Sequence, residues 1–395
     1  MVAEVHNGGQ GDERALAPDG ARIAHADEQG AGDGIRRLLG IGRTGLPAAF
    51  DRRSGDFVQT VRRVDGGTAR IRQEGTSLRY TAIAALGLSR LGRAEQEAAL
   101  GGRDAAELAR RVGRRALEQS DPGAVALAAW AVAETGGVVD PAVLERLGHD
   151  LASGVPIPTV DLSWMVTAAV AAGPSAEAVA QLAVTRLLEG QGRHGIFPHV
   201  LPARTQNRWR RHVGSFADQI YPVQAFARMF QVTGDRSLLT AAEATADRIC
   251  ELQGPDGQWW WHYDARTGGV VERFPVYSVH QHAMAPMGLF DLADAGGRDR
   301  TAEIVRGLRW IGNHPEVDED LVDASVGMIW RKVGRHEPPK AVRRLSAVTT
   351  AIRPGLHLPR LDRMFPADRV DHECRPYELG WLLYAWMPSH EEDPS

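Results

Sequence analysis

Along most of the chain, apolar residues recur with the period of helices, and two kinds of segment alternate strictly. The first kind is apolar on almost every side, a pattern typical of helices that are buried all round. It covers residues 80–91, 124–133, 163–172, 219–230, 282–293, 321–330 and 377–386. The second kind has apolar residues at spacings of three and four with charged residues between them, which predicts helices with one buried face. It covers residues 104–119, 141–151, 176–188, 237–252, 300–312 and 339–351.

This alternation predicts an all-α protein built as an (α/α)6-type toroid, in which an inner ring of buried helices is surrounded by half-buried outer helices. The segments supply about six helical hairpins plus a closing helix. A superhelical solenoid shares the alternation and is the alternative, although its repeats are usually shorter and more regular.

The toroid is predicted to be a single domain over residues 35–388. Residues 1–34 contain many glycines, few large apolar side chains and no periodicity, so we predict a flexible N-terminal tail there. Residues 389–395 are predicted to be a flexible acidic tail.

Composition narrows the classes of function. The chain is 43% hydrophobic and 24% charged with a net charge of −4, which argues against a nucleic-acid partner because such proteins usually carry a basic face. No apolar run approaches the roughly 20 residues needed to cross a bilayer, and the first residues lack the pattern of a signal peptide. The two cysteines, Cys250 and Cys374, cannot build a disulfide framework, so we expect a cytoplasmic location. We predict no cofactor.

Residues 253–287 concentrate the candidate chemistry, with three tryptophans, three histidines and several carboxylates. A weaker copy of this stretch begins at Gln191, which matches Gln253 at an offset of 62 residues, from 191 to 253. At the same offset, residues 218–219 fall on residues 280–281. A constant offset through loop and helix indicates a repeated supersecondary unit.

The unit formed by residues 218–222, 233–239 and 252–259 resembles the repeat of the six-hairpin glycosidase-like superfamily. That superfamily includes unsaturated glucuronyl hydrolases, glucuronyl epimerases and N-acylglucosamine 2-epimerases. The Gln-x-x-x-Gly-x-Trp element of Gln253, Gly257 and Trp259 also resembles the repeat of terpenoid-cyclase and prenyltransferase toroids. The resemblance covers roughly residues 77–386 and implies the toroid fold.

In such a toroid, the loops that lead into the inner helices ring one mouth of the central cavity, where helix N-termini favour anionic ligands. Polar residues at the starts of the apolar helices are therefore the candidates for chemistry. The predicted catalytic residues are His280, His282, Asp218, Glu378 and Tyr277. The predicted substrate-binding residues are Trp259, Trp260, His262, Tyr263, Arg204, Arg208, Trp209, Gln219, Gln281, Arg79, Asp161 and Glu373.

Several of these residues also have structural interpretations. Histidine is the commonest acid or base near neutral pH, but His280 could instead bond to a loop carbonyl. Asp161 could cap a helix. The three consecutive tryptophans cannot all point the same way, so we expect at least one in the core and one at the cavity. No histidine or cysteine spacing matches a known zinc motif, so no metal site is predicted.

The segment 204–212 combines four arginines with one tryptophan. Arginine suits bidentate binding of carboxylate or phosphate, so this segment favours an anionic small molecule or glycan as substrate; a solvated surface loop is the alternative.

Three hypotheses about function follow. The first is a carbohydrate-active enzyme, a hydrolase, lyase or epimerase, that acts on an acidic sugar by His and carboxylate chemistry. The second is a terpenoid-cyclase-like or prenyltransferase-like enzyme acting on a prenyl diphosphate. It ranks lower because the chain has neither acidic motif of those enzymes and is only 6% aromatic. The third is a non-catalytic toroid that binds a glycan or a protein.

Overall fold

A computed structural model describes residues 20–64, 70–338 and 340–388 of the chain. Sixteen α-helices lie within these residues. They are α1 (Gly20–Glu28), α2 (Gly32–Ala48), α3 (Leu78–Leu88), α4 (Arg93–Leu100), α5 (Ala105–Arg114), α6 (Pro122–Glu134), α7 (Pro141–Ala152), α8 (Thr159–Ala172), α9 (Glu177–Gly190), α10 (Ala217–Thr233), α11 (Arg236–Glu251), α12 (Ala285–Asp294), α13 (Thr301–Asn313), α14 (Ala341–Ile352), α15 (Leu361–Met364) and α16 (Pro376–Trp386). A π-helical turn, His280–Met284, leads directly into α12.

Short antiparallel strands connect the helices. They are β1 (Phe50–Asp51), β2 (Asp56–Phe57), β3 (Thr60–Val64), β4 (Arg70–Glu74), β5 (Ile157–Pro158), β6 (Val200–Leu201), β7 (Val213–Ser215), β8 (His262–Asp264), β9 (Val270–Glu272), β10 (Val276–Tyr277), β11 (Val322–Asp323), β12 (Met328–Ile329), β13 (Lys332–Gly334), β14 (Arg369–Asp371) and β15 (Glu373–Cys374). The three-stranded sheets have the orders β7–β8–β9, β10–β13–β14 and β15–β3–β4, and the remaining strands pair two by two. Strands β4, β5, β7, β10 and β15 each end a few residues before an inner helix, so the sheets gather at the N-terminal mouth of the ring.

Six helices form a closed inner ring. Helices α3, α6, α8, α10, α12 and α16 each pack against the next, and α16 returns to α3. Outer helices cover this ring: α5 lies against α3 and α6, α9 against α8, α11 against α10, α13 against α12 and its π turn, and α2 against α16. The closed ring confirms the predicted toroid and excludes the open solenoid.

The inner helices are apolar on all sides because they are buried on all sides. Every residue of α6 from Gly123 to Val132 is buried, and its Trp130 has no exposed surface. Helices α3 and α16 cross at Gly87 and Gly380, where a Cβ on Gly87 would lie 2.3 Å from the Gly380 carbonyl oxygen. Only glycine permits this backbone-to-backbone packing.

One predicted inner helix is wrong. Residues 321–330 form the β11–β12 hairpin rather than a helix, and its turn includes Gly327 with φ of +68°. Leu321, Met328 and Trp330 are buried, so the apolar pattern reflects a hairpin packed under other chain segments. The ring therefore has six inner helices, and α16 is the sixth member rather than an additional closing helix.

Two further segments differ from the sequence pattern. The segment 339–351, predicted as an outer helix, contains α14, but α14 packs against β9 rather than against the ring. Residues 20–34, predicted as part of the tail, include α1 and the first turn of α2, and α1 packs against α2 and α13. Residues 1–19 and 389–395 of the predicted tails lie outside the described residues.

The repeat at an offset of 62 residues is a repeat of structure, because equivalent side chains make equivalent hydrogen bonds. The Gln219 side-chain oxygen accepts the backbone N–H of Phe197 at 2.8 Å. The Gln281 side-chain oxygen accepts the backbone N–H of Trp259 at 3.2 Å. In both units the glutamine of an inner helix therefore holds the loop that precedes it.

The glycines of the two units also play the same part. Gly195 and Gly257 both have positive φ, +78° and +98°. A Cβ on Gly195 would lie 2.5 Å from a backbone carbonyl oxygen of α11, and one on Gly257 would lie 2.0 Å from a carbonyl oxygen of α13. Each loop can therefore pack directly on the next outer helix only if it has glycine at this position.

Within the described residues, no helix is long and apolar enough to cross a membrane. Cys250 and Cys374 are both buried and unpaired.

Candidate functional site

A cavity of about 240 Å³ opens at the N-terminal mouth of the inner ring. Six aromatic side chains from different parts of the chain form much of its wall. They are Tyr80, Trp164, Tyr221, Trp261, Tyr277 and Tyr377. Arg79, Arg331 and His280 add polar groups to the same wall. The cavity thus combines flat apolar faces with two cations beside helix N-termini, where anions are favoured.

Two aspartates flank the Arg79 guanidinium. Asp121 is the N-cap of α6, and its carboxylate forms a bidentate ion pair with the Arg79 guanidinium. The Asp161 carboxylate accepts a hydrogen bond from the same guanidinium at 3.1 Å. Arg79 also lies over the ring of Trp164, 5.2 Å from its centroid. The ionic group therefore joins the starts of α3, α6 and α8 to the aromatic wall.

Asp161 is a candidate proton donor. Burial raises the pKa of its carboxyl to about 6, although Arg79 acts in the opposite direction, and the negative charges of Asp121 and Asp218 raise it further. Its carboxylate does not cap α8, whose N-cap position is Pro158 without a side-chain hydrogen bond. A carboxyl that titrates near neutral pH beside a cavity is suited to acid–base work.

Asp218 holds the turn before α10 and orients a histidine. Its carboxylate accepts hydrogen bonds from the backbone N–H and the hydroxyl of Ser215, both at 2.7 Å. The same carboxylate lies 3.1 Å from Nδ1 of His199, whose side chain is 52% exposed. The charge of Asp218 raises the pKa of His199. The exposed imidazole of His199 is therefore held by a buried carboxylate that favours its protonated form.

Glu378 is fully buried in the first turn of α16. Neither carboxyl oxygen has a hydrogen-bond partner in the described part of the chain, and the nearest cation, Nε of Arg331, is 3.7 Å away. Burial raises the pKa of Glu378 to about 8. Its carboxyl is therefore protonated at neutral pH, behind the wall that Arg331 and Tyr377 form.

The two histidines differ in position. His280 lines the cavity and stacks against Trp261, with ring centroids 6.0 Å apart and planes 10° apart. His282 is fully buried and is not among the residues that line the cavity. Burial lowers the pKa of both to about 3, so both are neutral imidazoles at physiological pH. His280 can contact a ligand; His282 lies in the core.

The three consecutive tryptophans separate as expected, with one in the core and one at the cavity. Trp259 is fully buried against Phe216, and Trp260 packs beside Phe274. It is Trp261 that lines the cavity.

The other predicted binding residues lie around this wall. His262 and Tyr263 are buried in β8, and Gln219 and Gln281 are used to hold loops. Glu373 pairs with Arg62 at 2.6 Å. None of these five predicted residues lines the cavity.

The predicted arginine loop lies at the surface. Arg204 and Arg208 are exposed, and Arg208 stacks on Trp209 with 4.2 Å between its guanidinium and the ring centroid. None of the three lines the cavity.

Sequence reasoning did not single out Asp121, Trp164, Tyr221 or Arg331. Asp121 had a usable signal, because it precedes Pro122 at the start of an apolar helix, the usual pattern of an N-cap. Arg331 had none, because the preceding residues were predicted to be helical.

The opposite end of the ring holds a second cavity, of about 340 Å³, whose polar walls bond to one another. Arg228 donates to Asp291 at 2.7 Å, and the Tyr384 hydroxyl donates to Glu134 at 2.6 Å. This ion pair and this hydrogen bond tie the C-terminal ends of the inner helices together. The aromatic, cationic N-terminal mouth is therefore the better candidate site.

Comparison with known structures gives the same fold. The unsaturated glucuronyl hydrolase of Bacillus sp. GL1, responsible for the degradation of glycosaminoglycan, has 13% identity and a TM-score of 0.55; the match covers 89% of this chain and 96% of that one. An unsaturated glucuronyl hydrolase specific for heparin has 13% identity and a TM-score of 0.52, with 90% and 96% covered. A Salmonella enterica protein described as a possible member of the GH105 family has 11% identity and a TM-score of 0.52, with 98% of each chain covered. No family model and no curated protein matches the chain.

Proposed function

We propose that this protein is a carbohydrate-active enzyme that hydrolyses a glycoside of an acidic sugar held in the N-terminal cavity. The observation that carries the proposal is the composition of the cavity wall. Aromatic faces and two arginines line one space of about 240 Å³, and the Asp161 carboxyl, whose pKa is about 6, accepts a hydrogen bond from one of these arginines, Arg79.

Each part of the wall suits one part of such a substrate. Trp164, Trp261 and Tyr277 offer flat faces on which the C–H surface of a sugar ring stacks. Arg331 lies on the wall with its guanidinium 5.2 Å above the Tyr277 ring, so it can bind a sugar carboxylate beside the stacked ring.

Asp161 is the proposed catalytic acid. When protonated, it donates its proton to the glycosidic oxygen as the bond from that oxygen to the anomeric carbon breaks and the leaving sugar departs as an alcohol. As the carboxylate it then takes a proton from the water that attacks the anomeric carbon, so the cycle consumes one water and restores the acid. Asp121 is proposed to position Arg79 and so tune Asp161. His280 and Tyr277 are proposed to contact the substrate, and Asp218 to orient His199 at the mouth.

The structural neighbours named as unsaturated glucuronyl hydrolases support this choice among hydrolase, lyase and epimerase. The proposed substrate is accordingly an oligosaccharide that ends in an unsaturated uronic acid. We also propose a cytoplasmic location, which the two unpaired cysteines support.

The experiment is turnover of unsaturated uronyl disaccharides by the wild type and by Asp161→Asn, followed as loss of the ultraviolet absorbance of the double bond. We expect Asp161→Asn to lower kcat by about 10² to 10⁴ because proton transfer is lost, with KM and melting temperature nearly unchanged. The wild-type kcat should fall above about pH 6, since the acid form of Asp161 is lost there.

The matched control is Asp140→Asn, because Asp140 caps the outer helix α7 and is not among the residues that line the cavity. It should leave kcat unchanged. Absence of wild-type turnover on every unsaturated and saturated uronide tested would refute the proposed function.

A further inference from the structure

The chain between β13 and β14 brings a cation to the edge of the cavity. These two strands pair directly, yet 34 residues, numbers 335–368, separate them in sequence. Helix α14 lies in this insertion and packs on β9. From its first turn, Arg343 places its guanidinium over Trp261, which lines the cavity, at 5.1 Å from the ring centroid.

Arg343 belongs to a cluster of three arginines, with Arg344 beside it and Arg210 from the loop before β7; we name these three the rim cluster. Their positive charges act on one another, since burial and then the charges of Arg343 and Arg344 lower the pKa of Arg210. Burial, followed by the charges of Arg343 and Arg210, also lowers the pKa of His262. The rim cluster therefore concentrates positive charge next to Trp261.

In the described part of the chain, no carboxylate forms an ion pair or hydrogen bond with a side chain of the rim cluster. The arginines of the cavity wall differ in this respect. Arg79 pairs with Asp121 and Asp161, and Arg331 pairs with Glu373. The Nε of Arg343 is buried and has no acceptor in the described residues. Grouping like charges without counter-charges costs free energy, which a bound anion would offset.

We propose that the rim cluster binds a second anionic group of the substrate, carried by the part that extends from the cavity past Trp261. This inference rests on the proposed function, because it assigns the outer end of the same ligand. The guanidinium carbon of Arg343 lies 5.1 Å from the Trp261 ring centroid, and the N–H groups of a guanidinium are suited to binding an oxyanion. The substrate is therefore at least doubly charged: one anion lies near Arg331 and the other at the rim cluster.

The test compares three unsaturated uronyl disaccharides as probes. The probes differ in the second sugar, which is uncharged in the first probe, carries a sulfate in the second and carries a carboxylate in the third. Binding is measured by calorimetry and turnover by absorbance. We expect the wild type to bind at least one of the doubly charged probes about tenfold more tightly than the singly charged one. The relative affinities of the sulfate and carboxylate probes identify the oxyanion.

Arg343→Gln and Arg210→Gln should each remove most of this preference by raising KM for the doubly charged probe, with kcat unchanged. The matched control is Arg353→Gln, which removes the same charge just after α14, ten residues or roughly 15 Å of helix from Arg343. It should retain the full preference. Melting temperatures of all three variants show whether each is folded.

The outcomes separate the two proposals. Turnover of all three probes with equal KM overturns the rim cluster inference and leaves the proposed function intact. Charge-selective binding that Arg343→Gln abolishes, without any turnover, supports the rim cluster and refutes the enzyme. Equal loss of affinity for all three probes in Arg343→Gln overturns the inference, since it shows a general role in shaping the wall.

Discussion

Glu378→Gln tests whether a protonated acid is buried behind the cavity wall. In the folded protein the pKa of Glu378 is about 8, against an ordinary value of 4.5, because burial disfavours the charged form. The folded pKa is raised, so the stabilisation from this group is present below pH 4.5 and is lost as pH rises through 8. Each pH unit in this window costs the wild type about 1.4 kcal/mol.

The expected difference follows from this window. Glutamine has nearly the same shape and cannot ionise. Between pH 4 and pH 7 the stability of Glu378→Gln should therefore rise relative to the wild type by on the order of 3 kcal/mol, and the difference should level off above pH 8. The measurement is urea unfolding at a series of pH values, followed by circular dichroism.

Glu134→Gln is the matched control because Glu134 is also a buried glutamate but its pKa shifts the other way. Burial alone would raise that pKa, but the charges of Arg228 and Arg90 outweigh burial and lower it. Glu134→Gln should therefore be less stable than the wild type at neutral pH, and this deficit should shrink as pH falls below about 4.5. Parallel stability curves for Glu378→Gln and the wild type from pH 5 to 8 would refute the reasoning about Glu378.

Two further predictions test the packing that shapes the mouth. Gly87→Ala should destabilise the protein by about 1–3 kcal/mol because the new Cβ would collide with Gly380. Gly40 is exposed on α2, and a Cβ added there would have no atom within 4 Å, so Gly40→Ala should stabilise the protein by about 0.5–1 kcal/mol. Equal urea midpoints for the two variants would contradict this contrast. Gln281→Leu should lower the free energy of unfolding by about 1–3 kcal/mol, because the buried backbone N–H of Trp259 loses its acceptor. Hydrogen exchange of that amide should accelerate. Unchanged exchange would show that the glutamine does not hold the loop.

Local patterns in the sequence were enough to predict the architecture. Six of the seven all-apolar segments form the inner ring, because a helix that is buried on every side needs apolar residues on most of its surface. The repeat at 62 residues predicted two equivalent units because the loop-to-helix hydrogen bonds and the positive-φ glycines recur at fixed spacing.

Local patterns were insufficient where burial came from another source. Residues 321–330 are apolar because a hairpin is packed beneath neighbouring segments, and an apolar run of this length does not separate hairpin from helix. The error also concealed Arg331, which follows the hairpin and lines the cavity.

The candidate site was predictable only in part. The sequence identified Arg79, Asp161, Tyr277 and His280, since polar residues at the starts of apolar helices face the mouth of a toroid. Of the three consecutive tryptophans it selected Trp259 and Trp260, yet Trp261 is the one that lines the cavity. The direction of each side chain in a loop depends on the elements that pack around it.

The sequence by itself determined the ring of buried helices, the repeated unit and the end of the ring at which polar residues gather, because these follow from periodicity and spacing along the chain. The tertiary structure alone decided that Asp121 and Asp161 share the guanidinium of Arg79, and that Arg343 reaches Trp261 from a distant insertion. Charges attract or repel through space, so residues far apart in sequence acquire a joint chemistry only when the closed ring brings them within a few ångströms.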